Sequence, residues 1–144
     1  MRVPLYRTGA WCWIITGVGH TAGDLALRIS SPAADRDLDA LLRSRPFDLL
    51  GTSTSHYDLY MGFSLAMGLA IALVGLLFLM LERFTQDPAR LRSAGAVGLA
   101  ASLGMLVLSV VLLPLPPIVF FTIASAAFAV LTLRSATPDA AARA

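Results

Sequence analysis

A stretch of 23 residues without a charged side chain lies between Asp58 and Glu82, and no other feature constrains the fold of this chain as strongly. A helix needs roughly 20 mainly apolar residues to cross the hydrocarbon core of a bilayer. Of the 144 residues, 57% are hydrophobic and 14% are charged, whereas soluble domains average about 25% charged residues. The composition therefore predicts an integral-membrane protein and argues against a soluble domain or a disordered chain.

Three more segments have the length and apolarity of membrane helices. The stretch 93–133 also lacks charges, and Pro116 and Pro117 divide it, because two successive prolines do not continue a helix. The first segment has no uninterrupted apolar run of about 7–15 residues, so we expect a retained helix instead of a cleaved signal peptide. We predict one all-α integral-membrane domain over 1–144, a four-transmembrane-helix bundle with helices at 8–28, 58–82, 93–113 and 117–134.

The loop 29–57 is the longest polar segment of the predicted fold. Ser31 and Pro32 are typical of a helix start, and Leu38, Leu41 and Leu42 recur at helical spacing among charged residues. This pattern predicts a short amphipathic helix on the outer membrane surface or over the bundle. A plain connector is the alternative.

The distribution of arginine predicts the orientation. Seven of the 11 arginines lie near the termini or between the second and third predicted helices, and four lie in or beside the loop 29–57. Because cytoplasmic loops are enriched in positive charge, both termini are expected in the cytoplasm and the loop outside. The chain is rich in alanine and has arginine but no lysine, which suggests a bacterial source. We therefore expect a multi-pass protein of the inner (plasma) membrane.

Small residues and tryptophans predict how the helices pack. Gly19 and Gly23 form a G-x-x-x-G pattern in the first helix, and the third helix has the small residues Ala94, Gly98 and Ser102. Such positions allow close approach of membrane helices. Trp11 and Trp13 suggest an interfacial aromatic belt.

Several function classes lack their sequence signals. Basic and aromatic residues do not alternate, which argues against a nucleic-acid partner, and no glycine-rich phosphate loop occurs. Cys12 is the single cysteine, so no intramolecular disulfide forms, and no zinc-ligand spacing is present. We expect no cofactor and no metal.

Polar residues near the outer end of the first two helices are the candidate site. His20 and Asp24 share one face of the first helix, about 12 Å and 6 Å inside Arg28 at 1.5 Å per residue. Ionisable groups inside a span usually mark function. The candidate catalytic residues are His20, Asp24, His56 and Asp58, and the candidate substrate-binding residues are Thr16, Tyr57, Tyr60, Met61, Ser64 and Met67.

Each candidate except His20 also has a simple structural interpretation. Asp24 would pair with Arg28 at i+4. His56 and Asp58 would lie in the wet loop, with Asp58 capping the second helix. The tyrosines would be belt aromatics, Ser64 would bond to its own backbone, and the methionines would fill gaps.

Histidine beside a carboxylate is suited to proton transfer near neutral pH. We expect an acid–base enzyme that isomerises, cyclises or dehydrates a lipophilic small molecule or opens its epoxide, in a pocket open to the outer leaflet. Three alternatives stay open: a small proton-coupled multidrug-type carrier, dimeric and using Asp24; a bis-histidine haem protein using His20 and His56; and an accessory subunit. The expected partners are the substrate, membrane lipids and, as one arrangement, a second copy of the chain.

The second predicted helix opens with S-x-x-x-Y-D-L-Y-M-G-F-S-L-A-M-G over residues 53–68. With His20 in the first helix, this segment resembles small bacterial membrane proteins of four transmembrane helices. The resemblance covers about 17–75, implies the four-helix fold and implies no activity. A looser similarity, of fold level only, relates the polar helical pocket to membrane sterol isomerases and integral-membrane terpene cyclases.

Overall fold

The computed structural model describes residues 3–30, 33–85 and 87–133, and this part of the chain is mostly helical. The predicted helix start at Ser31 and Pro32, and the chain end from Arg134, lie outside the described residues. In chain order the elements are α1 (Val3–Ser30), α2 (Ala33–Arg43), β1 (Pro46–Leu49), β2 (Thr52–Ser55), α3 (His56–Phe84), α4 (Pro88–Leu112) and α5 (Leu115–Leu133).

Within the described residues, three helices are long and apolar enough to cross a membrane, namely α3, α4 and α5. The membrane character expected from composition is thus shown by these three helices. Helix α1 has 28 residues, which is about 42 Å at 1.5 Å per residue. Because of its polar residues, α1 is not among the helices that are apolar enough to cross a membrane. The fourth transmembrane helix and the four-helix bundle therefore remain a prediction.

Proline and a capping aspartate fix the ends of α4 and α5. Asp87 accepts a hydrogen bond from the Ala89 N–H at 2.9 Å, and Pro88 occupies the first turn, where its missing N–H is not needed. Helix α4 consequently begins at Pro88, ahead of the predicted start at 93, because this cap and not apolarity sets its first residue. It ends before Pro114, and α5 carries Pro116 and Pro117 in its first turn.

The chain divides into two compact units. The first unit comprises Met1–Thr16 and Ile71–Ala144, and the second comprises Gly17–Ala70. Because α1 and α3 each contribute to both units, the division does not follow the boundaries of the helices.

Edge-to-face aromatic rings form the core of the first unit. Tyr6 and Phe128 have ring centroids 5.8 Å apart, and those of Trp13 and Phe121 are 5.1 Å apart. Phe78 joins the two pairs through contacts with Tyr6, Trp13 and Phe128. Aromatic pairs prefer such arrangements because the positive ring edge meets the negative ring face.

Two glycines make room for the buried ring of Phe128. A Cβ atom built on Gly98 of α4 would lie 2.9 Å from Phe128 Cζ, and one on Gly9 of α1 would lie 2.6 Å from the same atom. The small residues of α4 thus do allow close packing, as predicted. In the described part of the chain nothing lies within 4 Å of an added Cβ at Gly19 or Gly23, so close helix packing at these two glycines stays a prediction.

The two tryptophans have different surroundings. Trp13 is buried, and its Nε1–H donates to Ser102 Oγ of α4 at 2.9 Å. This residue therefore belongs to the core, and its assignment to an interfacial belt is wrong. Trp11 is half exposed, as a belt residue would be.

The second unit contains a β-hairpin that the sequence analysis missed. Strands β1 and β2 are antiparallel, with Leu49 opposite Thr52. Leu50 and Gly51 between them have φ of 51° and 84°, the left-handed backbone that two-residue hairpin turns require. The hairpin leads directly into α3 and thereby sets where the first turn of that helix begins.

Candidate functional site

Three polar side chains of the second unit form one hydrogen-bonded group. His20 Nε2 lies 3.0 Å from Ser64 Oγ, and the Ser64 hydroxyl donates to Asp24 Oδ2. The direct separation of His20 Nε2 and Asp24 Oδ2 is 3.9 Å. Ser64 therefore bridges the histidine and the carboxylate, and we call His20, Ser64 and Asp24 the polar triad.

Helical spacing and a glycine bring the triad together. His20 and Asp24 are four residues apart on α1, so they project from the same face. Ser64 comes from α3, where Gly68 lies one turn further along. A Cβ on Gly68 would lie 3.2 Å from both the Gly17 carbonyl oxygen and His20 Cδ2. The absence of a side chain at Gly68 thus permits the close approach of α3 to this face of α1.

The hydroxyl of Ser64 determines the direction of the hydrogen bonds. A hydroxyl has one hydrogen and two acceptor lone pairs. When that hydrogen is directed to Asp24, Ser64 accepts from His20, so Nε2 carries a proton. The reverse order, from a protonated Asp24 through Ser64 to an unprotonated Nε2, satisfies the same three atoms. The triad therefore has two proton arrangements that differ by moving one proton along each hydrogen bond.

Asp24 also lines a cavity of about 350 Å³ in the second unit. Helix α2 contributes to its wall together with residues of α1 and α3. The apolar lining residues are Leu27, Leu38, Leu42 and Met61, and the aromatic ones are Tyr57 and Tyr60. The side chain of Asp24 is 18% exposed. A molecule in this cavity would thus meet a carboxylate that accepts a hydrogen bond from Ser64, and Ser64 is in turn bonded to His20.

Tyr57 is buried beside this cavity under two arginines. The guanidinium carbon of Arg43 lies 3.5 Å from the Tyr57 ring centroid, and that of Arg28 lies 5.4 Å from it. Both distances fit cation–π contact. Among the ion pairs of the described residues, none joins Arg28 to Asp24, so the pairing considered from their i,i+4 spacing is not formed.

His56 and Asp58 are in the same unit but make other contacts. His56 is exposed, its ring centroid lies 4.7 Å from that of Phe47, and its Nδ1 lies 3.3 Å from the Arg45 carbonyl oxygen. The Ser55 hydroxyl donates to Asp58 Oδ2 at 2.6 Å and accepts from the Asp58 N–H at 3.1 Å. Asp58 therefore takes part in capping α3, with Ser55 as the capping residue.

His56 and Ser64 are eight residues apart on α3, about 12 Å along the helix axis. His20 bonds to Ser64, so the two histidines lie at different levels of this helix. A single haem iron needs both as ligands on its opposite sides. This geometry gives no support to the haem alternative.

The remaining sequence candidates are distributed over both units. Tyr57, Tyr60 and Met61 line the cavity, and Tyr60 is 63% exposed. Met67 is partly exposed and is not among the lining residues. Thr16 belongs to the first unit, where its hydroxyl donates to the Cys12 carbonyl oxygen at 2.7 Å.

Sequence reasoning missed the contribution of α2 to the cavity. Asp35, Leu38, Asp39 and Leu42 all line it, together with Arg28 of α1. Their i, i+3, i+4 and i+7 spacing was a readable signal, because it places them on one helix face. The loop's predicted apolar pattern contained two of them, but nothing in the sequence related that face to Asp24.

No group of three or more His, Cys, Asp or Glu side chains in the described part of the chain has the geometry to hold a metal ion. Searches of protein-family models, curated proteins and solved structures return no match to this chain.

Proposed function

We propose that this protein is an integral-membrane acid–base enzyme that acts on a lipophilic small molecule in the cavity beside Asp24. The proposed pocket opens toward the outer leaflet, and the reaction is a proton transfer of the kind needed for isomerisation, epoxide opening, cyclisation or dehydration. The observation that carries this proposal is the double position of Asp24, which lines the cavity and is bonded to Ser64.

The triad provides a group that both accepts and returns a proton. In one arrangement Asp24 is ionised and His20 is an imidazolium; in the other Asp24 is a carboxylic acid and His20 is a neutral imidazole. The two interconvert when one proton moves from Nε2 to Ser64 Oγ and the Ser64 proton moves to Asp24 Oδ2. General acid–base catalysis of this type contributes typically 10²–10⁴-fold to a rate.

Each member of the triad then has a separate role. Asp24 exchanges the proton with the substrate because it lines the cavity. Ser64 conducts the proton, and His20 holds it between the two halves of a reaction. Tyr60 lines the same cavity with a largely exposed side chain, so its hydroxyl is a donor for an oxygen on the substrate.

The cavity walls support a lipophilic substrate. Four aliphatic or thioether side chains and two tyrosine rings line a space of about 350 Å³. Binding pockets for small molecules have volumes of about 300–1,000 Å³ and combine apolar walls with a few polar groups. A substrate of modest size with one polar group next to Asp24 fits this arrangement.

The test is conversion of four lipophilic probes by the full chain in lipid nanodiscs prepared in D₂O. The probes are a β,γ-unsaturated ketone, a terminal alkyl epoxide, a polyene epoxide and a tertiary allylic alcohol, each as the neutral compound and with a trimethylammonium group on its hydrocarbon chain, and mass spectrometry follows products and deuterium uptake. We expect at least one probe to be converted, and Asp24→Asn and His20→Gln to slow that conversion at least about 100-fold.

The control for the conversion assay is Asp48→Asn, a carboxylate of β1 that does not line the cavity, and it should retain the wild-type rate. Circular dichroism and thermal unfolding establish that each variant is folded. Conversion that Asp24→Asn leaves unchanged would overturn the proposal, and so would a wild-type protein that converts none of the four probes in either the neutral or the ammonium form.

A proton-coupled carrier is the second candidate, since the same position of Asp24 would let protonation and ligand binding compete. A carrier would not convert the probes in the nanodisc assay, but it would transport them across proteoliposome membranes under a pH gradient. The site of the carboxylate near one end of α1 is a weakness, because carrier sites commonly lie near the bilayer midplane. Uphill transport without conversion would favour the carrier over the enzyme.

A further inference from the structure

The acidic lining of the cavity indicates the charge of its ligand. Three carboxylates line it, those of Asp24, Asp35 and Asp39, against the one guanidinium of Arg28. The carboxylates come from two helices, α1 and α2, and line the same cavity. When all three are ionised the lining carries a net charge of −2, so the cavity attracts positive charge and disfavours anions.

One aromatic ring of the lining, that of Tyr60, adds a second preference for cations. The buried ring of Tyr57 is already covered by the Arg43 guanidinium, 3.5 Å from its centroid, and is not available to a ligand. Tyr60 also lines the cavity, and its ring is largely exposed. Organic cations bind aromatic faces within about 6 Å of the ring centroid, more strongly where water is excluded.

The apolar wall limits which cations fit. Leu27, Leu38, Leu42 and Met61 surround the same space, and they offer no ligand oxygen to a metal ion. Desolvating a small inorganic cation against such a wall is costly. A quaternary ammonium with hydrocarbon substituents has its charge spread over apolar surface and suits both parts of the lining.

We propose that the cavity selects a lipophilic organic cation, an ammonium compound of modest size, and that this is the substrate class of the acid–base enzyme. The ammonium group lies between Asp24 on α1 and Asp35 and Asp39 on α2, and the hydrocarbon part lies against the leucines and Met61. That the bound cation is a substrate rests on the proposed function. The selectivity of the cavity for cations is measured as binding, without any reaction.

The experiment compares three probes of similar shape on the full chain in nanodiscs, with protein-free nanodiscs subtracted for partitioning. Benzyltrimethylammonium is the cation, neopentylbenzene is its neutral isostere, and benzylsulfonate is the anion. Ligand-observed NMR gives the dissociation constants. We expect the cation to bind at least about tenfold more tightly than the isostere, and the anion to bind more weakly than either.

Variants of α2 locate the binding. The double variant Asp35→Asn/Asp39→Asn should weaken benzyltrimethylammonium by about tenfold and leave neopentylbenzene unchanged. Asp37→Asn is the matched control, because Asp37 belongs to the same helix and does not line the cavity; it should bind the cation like wild type. Circular dichroism confirms that α2 is retained in each variant.

Two results would overturn the inference: equal affinity for the cation and its neutral isostere, or an effect of Asp37→Asn as large as that of the double variant. The second result would assign the attraction to the general charge of α2. Cation binding that persists while no probe is converted would overturn the proposed enzyme and leave the selectivity of the cavity standing. Conversion of a probe without selectivity for cations would overturn the inference about the ligand and leave the proposed enzyme standing.

Discussion

The two compact units use their polar side chains in different ways. In the first unit the hydrogen bonds of buried polar side chains are separate from one another, such as Trp13 with Ser102 and Thr16 with the Cys12 carbonyl. In the second unit three polar side chains share one hydrogen-bonded group that ends at a cavity. Side-chain packing accounts for the first unit, whereas the second contains a polar triad with two possible proton arrangements. Substitutions in the first unit should therefore change mainly the unfolding free energy, and substitutions in the triad should change mainly the chemistry of the site.

The largest stability effect should come from Phe128, whose ring is fully buried against Tyr6 and Phe78 in the first unit. Replacing it by alanine leaves a cavity, and we expect a loss of about 3 kcal/mol of unfolding free energy. Unfolding by a denaturing detergent, followed by circular dichroism, measures this loss. Phe63→Ala is the control, because Phe63 of the second unit is 69% exposed. Similar losses at both positions would contradict a packing role for the first unit.

The second effect contrasts two glycines. Gly98→Ala places a Cβ 2.9 Å from Phe128 Cζ, and the displaced ring should lower the unfolding free energy by about 1–2 kcal/mol. Gly19→Ala meets nothing within 4 Å among the described residues and should raise the unfolding free energy by up to about 1 kcal/mol through helix propensity. The same detergent unfolding compares both. A stabilising Gly98→Ala would show that the first unit is less tightly packed than its contacts imply.

Local signals were sufficient to predict the helical elements. The charge-free stretch after Asp58 predicted α3, and the prolines at 114–117 predicted the break between α4 and α5. Both depend on residues adjacent in the chain. The same holds for His20 and Asp24, whose shared face follows from their spacing on one helix.

Features that depend on distant residues were not predictable. Trp13 is a core residue because Ser102, 89 positions away, accepts its N–H, and nothing near Trp13 in sequence indicates this. The hairpin turn at Leu50 and Gly51 follows from backbone pairing, since leucine is not a residue that favours positive φ. The cavity required the face of α2 and that of α1 to be placed together, which single-helix patterns do not encode.

A third effect of about 1 kcal/mol separates the two kinds of polar contact. Ser102→Ala removes the acceptor of the Trp13 N–H and leaves a buried donor unpaired. Ser64→Ala removes the bridge of the triad and leaves partly buried groups of His20 and Asp24 unpaired. The two variants should lose similar unfolding free energy. Only Ser64→Ala should change the ¹⁵N chemical shift of His20 Nε2, because only there does the partner of that nitrogen disappear. A shift change with Ser102→Ala would contradict the separation.

The smallest effect concerns the cap of α3 in the second unit. Ser55→Ala removes both hydrogen bonds to Asp58, and loss of a helix N-cap costs about 0.5–1 kcal/mol. We expect faster hydrogen exchange in the first turn of α3 and unchanged exchange in α4, because the capping bonds lie within the second unit. Ser53→Ala, at an exposed position of β2, is the matched control. Unchanged hydrogen exchange in the first turn of α3 would show that the hydrogen bonds to Asp58 do not stabilise this turn. Asp58 would then again be a candidate for contact with a ligand.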